Sequence, residues 1–118
     1  MAKYMLLLHD NRQSFVGLAA DEMQKVMGKY RGWRDKLLNA GILHGADKLK
    51  DEPGKVIRRK GGKLHVTDGP YSETKELLGG YFVIEADSYE QAVDRSGDCP
   101  HLEFGGTIEV REVDVPRG

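Results

Sequence analysis

At 118 residues the chain has the length of one domain and can bury a core without metal or disulfide staples. Charged residues make up 31% of it, yet the two signs nearly cancel at a net charge of -1, so no overall field is directed at nucleic acid. The single cysteine, Cys99, excludes an intrachain disulfide and a multi-cysteine zinc site, suits a reducing compartment, and reads as a buried, inert thiol rather than a nucleophile.

The N-terminal "MAKYMLLLHD" has an apolar run that ends after Leu8, too short for a signal-peptide core or a membrane span, so a cytoplasmic protein with no membrane partner is expected. Within it, Lys3 to Leu8 reads as a strand with apolar side chains on both faces. A helix from roughly Glu22 to Ala40 follows, with Asp21 and Gln24 as its capping pair and Gly41 in the left-handed position at its end. Met23, Val26, Met27, Tyr30, Trp33, Leu37 and Leu38 recur at helical spacing and are expected to form one core-facing stripe. Gly28 and Gly32 lie on the opposite side, where they either admit a close neighbour or weaken the helix.

The middle of the chain alternates short extended runs with glycine and proline breaks, and "VIRRKGGKLHV" predicts a hairpin turning at Gly61-Gly62. From Gly80 to Ala86, Tyr81, Phe82, Val83 and Ile84 again put apolar side chains on both faces of a strand. A short second helix begins at "DSYEQAV", capped by Ser88 with Gln91 or by Asp87 with Glu90, and Gly97 closes it. The closing "GTIEVREV" alternates, with Ile108 and Val110 on one face and Glu109 and Arg111 on the other.

This order predicts an α+β fold, a ferredoxin-like split βαβ with an added β-hairpin. Two helices cover only one face of such a sheet, whereas two strands are apolar on both faces. A second copy of the chain is the simplest cover for the other face, so a homodimer enclosing a shared apolar space is expected.

The stretch "VTDGPYSETKELLGGYFVIEAD" sets a tight polar turn just before a buried strand. Asp68-Gly69-Pro70 has the chemistry of a chain reversal, Ser72 to Glu76 is densely polar, and Gly79-Gly80 permits a bulge or a close backbone approach. From the residues alone this is either a structural turn with a solvated face or the rim of a ligand site. None of the four histidines shows the spacing of a metal site. His9 ends the first strand beside Asp10; if Asp68 folds close, the pair could act as a general base, and otherwise His9 caps a strand end in water. No nucleophile elbow is present, and "GGK" at Gly61 to Lys63 lacks the rest of a phosphate loop, so no cofactor is expected.

Through "KYMLLLH", "VTDGPYSETKELLGGYFVIEADSYEQAV" and "GTIEVREV" the sequence resembles the YCII-related proteins, and among them the DGPF-type group, with Tyr71 where that group usually has Phe. The resemblance spans nearly the whole chain and implies one YCII-related domain over residues 1–118, of the dimeric α/β-barrel type. It implies a His and an Asp at a cleft in related proteins, and for the DGPF-type group an association with extracytoplasmic-function sigma factors. The positions matching the motif are Asp68, Gly69, Pro70, Tyr71, Glu73, Thr74, Lys75, Gly79 and Gly80. The expected site therefore has His9 and Asp68 as the acid–base pair. Tyr71, Glu73, Thr74, Lys75 and Tyr81 are expected to contact a small molecule in the dimer cavity. The competing expectation is a non-catalytic partner of a sigma factor, with the "SETKE" surface as its interface and no direct contact to nucleic acid.

Overall fold

A computed structural model describes residues 1–11, 17–69 and 76–115. In chain order they form β1 (Ala2–Asn11), α1 (Ala20–Asn39), β2 (Leu43–Lys48), β3 (Lys55–Lys60), β4 (Lys63–Asp68), β5 (Glu76–Ala86), α2 (Tyr89–Ser96), α3 (Pro100–Glu103) and β6 (Thr107–Glu112). The fold is α+β. Four strands make an antiparallel sheet in the order β2-β5-β1-β6, and β3 and β4 make a separate two-stranded sheet. This is consistent with the expected ferredoxin-like plan, with the hairpin inserted ahead of β5. Among the described residues no helix is long and apolar enough to cross a membrane.

Side chains on a strand alternate between faces, and here the alternation separates a core from an open surface. Tyr4, Leu6 and Leu8 of β1 and Phe82, Ile84 and Ala86 of β5 are buried against Trp33 and Leu37 of α1, Ala92 of α2, and Cys99. Leu6 and Ile84 are wholly enclosed, and burial of each contributes about 1.5–3 kcal/mol. Trp33 meets Phe82 edge-on at 4.8 Å between ring centroids, and its indole N–H donates to Asp98 Oδ1 at 2.9 Å. Met5 and Leu7 of β1 and Val83 of β5 leave on the other face, where no helix packs, and are partly exposed.

The helix ends show which local signals act. Ser88 Oγ accepts from the backbone N–H of Gln91, and Gln91 Oε1 accepts from the N–H of Asp87, so the expected cap of α2 forms almost as the sequence predicts. At the end of α1, Gly41 has a φ of 75°, its N–H donates to Leu38, and the N–H of Ile42 donates to Leu37, a full Schellman motif. The start of α1 corrects the sequence reading: the helix begins at Ala20, the capping residue is Ala19 with no side-chain bond, and Asp21 lies inside the first turn. There Asp21 and Glu22 favour the helix through its positive end rather than by capping. Leu38, expected in the core stripe, is 53% exposed. The four-residue α3 carries no periodic signal and was not foreseen, although Pro100 in its first turn is a recognisable start.

Candidate active site

The sheet end formed by His9, Asp10 and Gly79 is irregular, and the irregularity builds a site. Leu8 pairs with Gly80 and His9 with Leu78, so Gly79 is an extra residue bulged out of β5. A Cβ on Gly79 would stand 2.6 Å from Oδ2 of Asp10, so the absence of a side chain is what lets that carboxyl lie on the strand. Gly80 meets β2 instead: its Cβ would be 2.8 Å from the carbonyl oxygen of Asp47. The close approach expected of Gly79-Gly80 thus serves two different neighbours.

Between this end of the sheet and α1 lies a cavity of about 340 Å³. Leu8, Met23, Met27 and Phe82 give it apolar walls, while Asp10, Tyr30 and His101 bring polar atoms to it. Arg31 and Arg34, three residues apart on α1, also line it, and neither has an ion-pair partner among the described residues. Part of the stripe that reads as core is therefore cavity wall: Val26, Trp33 and Leu37 are buried, whereas Met23, Met27 and Tyr30 border open space.

His101, on α3, is 3% exposed and both of its ring nitrogens are engaged. Nε2 lies 2.8 Å from the carbonyl oxygen of His9, which can only accept, so Nε2 carries a proton. In the neutral ring Nδ1 then accepts from the Tyr30 hydroxyl, 2.9 Å away. Burial pushes the Tyr30 phenol well above its ordinary range, which keeps it a donor. A side chain on Gly106 would overlap the His101 ring, so this position too is set by a close approach.

Asp10 contrasts with these satisfied groups. Desolvation raises its carboxyl above the usual carboxylate range, outweighing the opposing pull of His101, Lys48 and His9 and aided by Asp51, and it has no hydrogen-bond partner among the described residues. A carboxyl raised in this way, in a cleft and unbonded, is suited to exchanging a proton with a bound molecule. Cys99 is not: it is buried, and desolvation pushes its thiol up to about 11. Among the described residues no three His, Cys, Asp or Glu side chains are grouped to hold a metal ion.

The residues singled out in the sequence occupy other places. The side chain of His9 leaves on the open face of the sheet, and its Nε2 is 3.0 Å from Glu109 Oε1. Asp68 closes the base of the β3–β4 hairpin and pairs with Lys55. The structure thus gives these two groups separate partners and does not bring them together. Gly69 is buried there, its N–H donating to the carbonyl of Gly54 at 2.9 Å. Tyr81 lines the cavity and donates to Asp47 Oδ2 at 2.7 Å. Pro70, Tyr71, Glu73, Thr74 and Lys75 lie outside the described residues. What the sequence reading missed is Asp10, Tyr30 and His101; the glycine pair opposite β1 was the one local sign of a crowded strand end.

A family model described as the YCII-related domain matches residues 2–115. The chain belongs to the YCII-related family. An uncharacterized protein of Rhizobium meliloti (strain 1021) is 28% identical over 110 residues, covering 92% of this chain and 89% of that one. In this member of the YCII-related family, the cavity presents an acid and an imidazole drawn from opposite ends of the sequence.

Proposed function

We propose that the protein binds a small organic anion in the cavity beside α1 and that Asp10 moves a proton on it. The observation that carries this reading is the placement, in the same 340 Å³ space, of a desolvated carboxyl and two guanidinium groups that have no bonding partner among the described residues. That volume suits a small metabolite, the apolar walls suit its carbon body, and Arg31 and Arg34 suit a carboxylate or phosphate at its exposed end. Asp10 is the proton-transfer group because Tyr30 is held as a phenol and both ring nitrogens of His101 are already occupied. Their role is to shape and dry the wall around it. The test is native mass spectrometry of the purified protein after incubation with a pooled metabolite extract. The wild type should retain a small anion that Arg31→Ala/Arg34→Ala loses, and Asp10→Asn should retain it without chemical change. Retention by the arginine variant, or turnover by Asp10→Asn, would refute the assignment.

We also infer that a second copy covers the open face of the sheet, giving the dimeric α/β-barrel arrangement. Met5, Leu7 and Val83 form an apolar strip there, flanked by the pairs His9–Glu109 and His44–Glu85. Sedimentation equilibrium should report a dimer, and a monomer at every concentration would refute it.

A further inference from the structure

Among the described residues the β3–β4 hairpin is barely covered by the rest of its own chain. Of its twelve strand positions only Val56 is even partly covered, and a lone two-stranded hairpin is marginal in water. The register puts Ile57, Leu64 and Val66 on one side of it, at 62%, 57% and 54% exposure, with Arg59 and the Lys55–Asp68 pair around them. Three large apolar side chains aligned on one side and left this exposed mark a surface that is covered in use.

We infer that this hairpin is an arm that seats its apolar side on a second copy of the chain, at the margin of that copy's open sheet face. The inference rests on the dimer reading above and extends it. Charge identifies the occupant. Residues 55–68 carry five Lys or Arg and one Asp, a net of +4, whereas the whole chain is at -1, so the remainder is at -5. The body of a second copy is therefore the acidic counterpart of the arm. Its open face has an apolar strip of Met5, Leu7 and Val83 bordered by Glu85, Glu109 and Asp47, with Lys3 and Arg111 on the same face, so the acidic groups the arm can meet stand at the margin of an apolar centre. The arm offers an apolar centre with a basic rim. A nucleic acid or other polyanion would engage the cations and leave Ile57, Leu64 and Val66 in water, so it does not account for the apolar side.

The experiment compares the full-length wild type with Ile57→Glu/Val66→Glu by sedimentation equilibrium, with Trp33 fluorescence confirming that the body stays folded. The dimer dissociation constant should rise roughly 100-fold in the variant, in line with the loss of two buried apolar anchors. Separately, Arg59→Glu, on the apolar side of the hairpin, should weaken the dimer and reduce its dependence on salt. A wild-type dimer that is unchanged in both variants overturns the arm while leaving the dimer standing. A wild type that is monomeric throughout overturns both. Binding of a duplex DNA oligonucleotide or heparin through Arg59 and the lysines of the hairpin's other side, with the dimer unaffected, assigns the arm to a polyanion and also overturns it.

Discussion

Gly79 and Asp10 share one small space: the hydrogen of the glycine is all that separates β5 from the carboxyl of Asp10, and a methyl there would stand 2.6 Å from Oδ2. Gly79 is not in the left-handed region, so alanine is accepted by its backbone. Gly79→Ala is therefore expected to turn the Asp10 carboxyl aside with a stability loss below about 1 kcal/mol, because the obstructing atom ends a mobile side chain. Gly80→Ala meets the backbone of β2 and should cost about 1–3 kcal/mol. Chemical denaturation of the two variants checks the contrast, and the first should keep the ligand but lose its chemical change without unfolding.

Asp10 lowers stability in order to be reactive. Its carboxyl is raised in the folded state by desolvation, so the ionised form is penalised. The penalty is absent below the ordinary value of 3.8, grows as pH rises through the higher folded value, and is complete above it. Asp10→Asn should accordingly equal the wild type near pH 4 and exceed it at neutral pH by up to about 1 kcal/mol after solvent screening. Thermal melts from pH 4 to 8 measure this. A variant less stable than the wild type at pH 7 would show that the carboxylate is held by bonds rather than desolvated.

Both ring nitrogens of His101 have partners. Tyr30→Phe removes the donor to Nδ1 and leaves a buried acceptor unpaired, at a cost of about 1–3 kcal/mol. Urea unfolding followed by Trp33 fluorescence should show the midpoint fall, and an unchanged midpoint would contradict the assigned tautomer.

Asp98 behaves in the opposite sense to Asp10. A hydrogen bond from Lys36 and another from the Trp33 indole hold its carboxyl below the ordinary 3.8. The stability it contributes is fully present above that value and is lost as pH falls through the lower folded value. Since the side chain is half exposed, about 1 kcal/mol is at stake. The difference between wild type and Asp98→Asn should be constant from pH 7 to about 5 and shrink below about pH 4.

Gly32 has no atom within 4 Å of where a Cβ would sit, so the close neighbour weighed from the sequence is absent. Gly32→Ala should then raise stability by about 0.5–1 kcal/mol, the ordinary helix-propensity difference. A loss would reveal a partner on that side of α1.

What could be read in advance follows from the range of the forces involved. The cores of β1, β5 and β6, the Gly61-Gly62 hairpin, the Ser88 cap and the Gly41 terminus are set by residues near one another in sequence and lie where the pattern placed them, whereas β2 was not located and β5 starts at Glu76, ahead of the expected Gly80. The start of α1 was misread because Asp21 serves either as a cap or as a first-turn acid, and only packing decides between them. The cavity was hidden because Met23, Met27 and Tyr30 have the same periodicity whether they fill a core or wall a space. His101 reaches Tyr30 and the His9 carbonyl through the topology of β1 and α3, and nothing local in "CPHLEF" marks it. His9 does not end its strand as expected, because β1 runs on to Asn11; its ring takes the open face and its carbonyl bonds to His101.

That last division has a mechanical consequence. His9 and Asp10 leave β1 in opposite directions from a single peptide plane, whose carbonyl is tethered by His101. Whatever seats against the imidazole on one side tilts the same rigid plane that aims the carboxyl on the other. The two surfaces of the sheet are thus geared to each other at this strand end, and a substitution made to study one is also a substitution in the other.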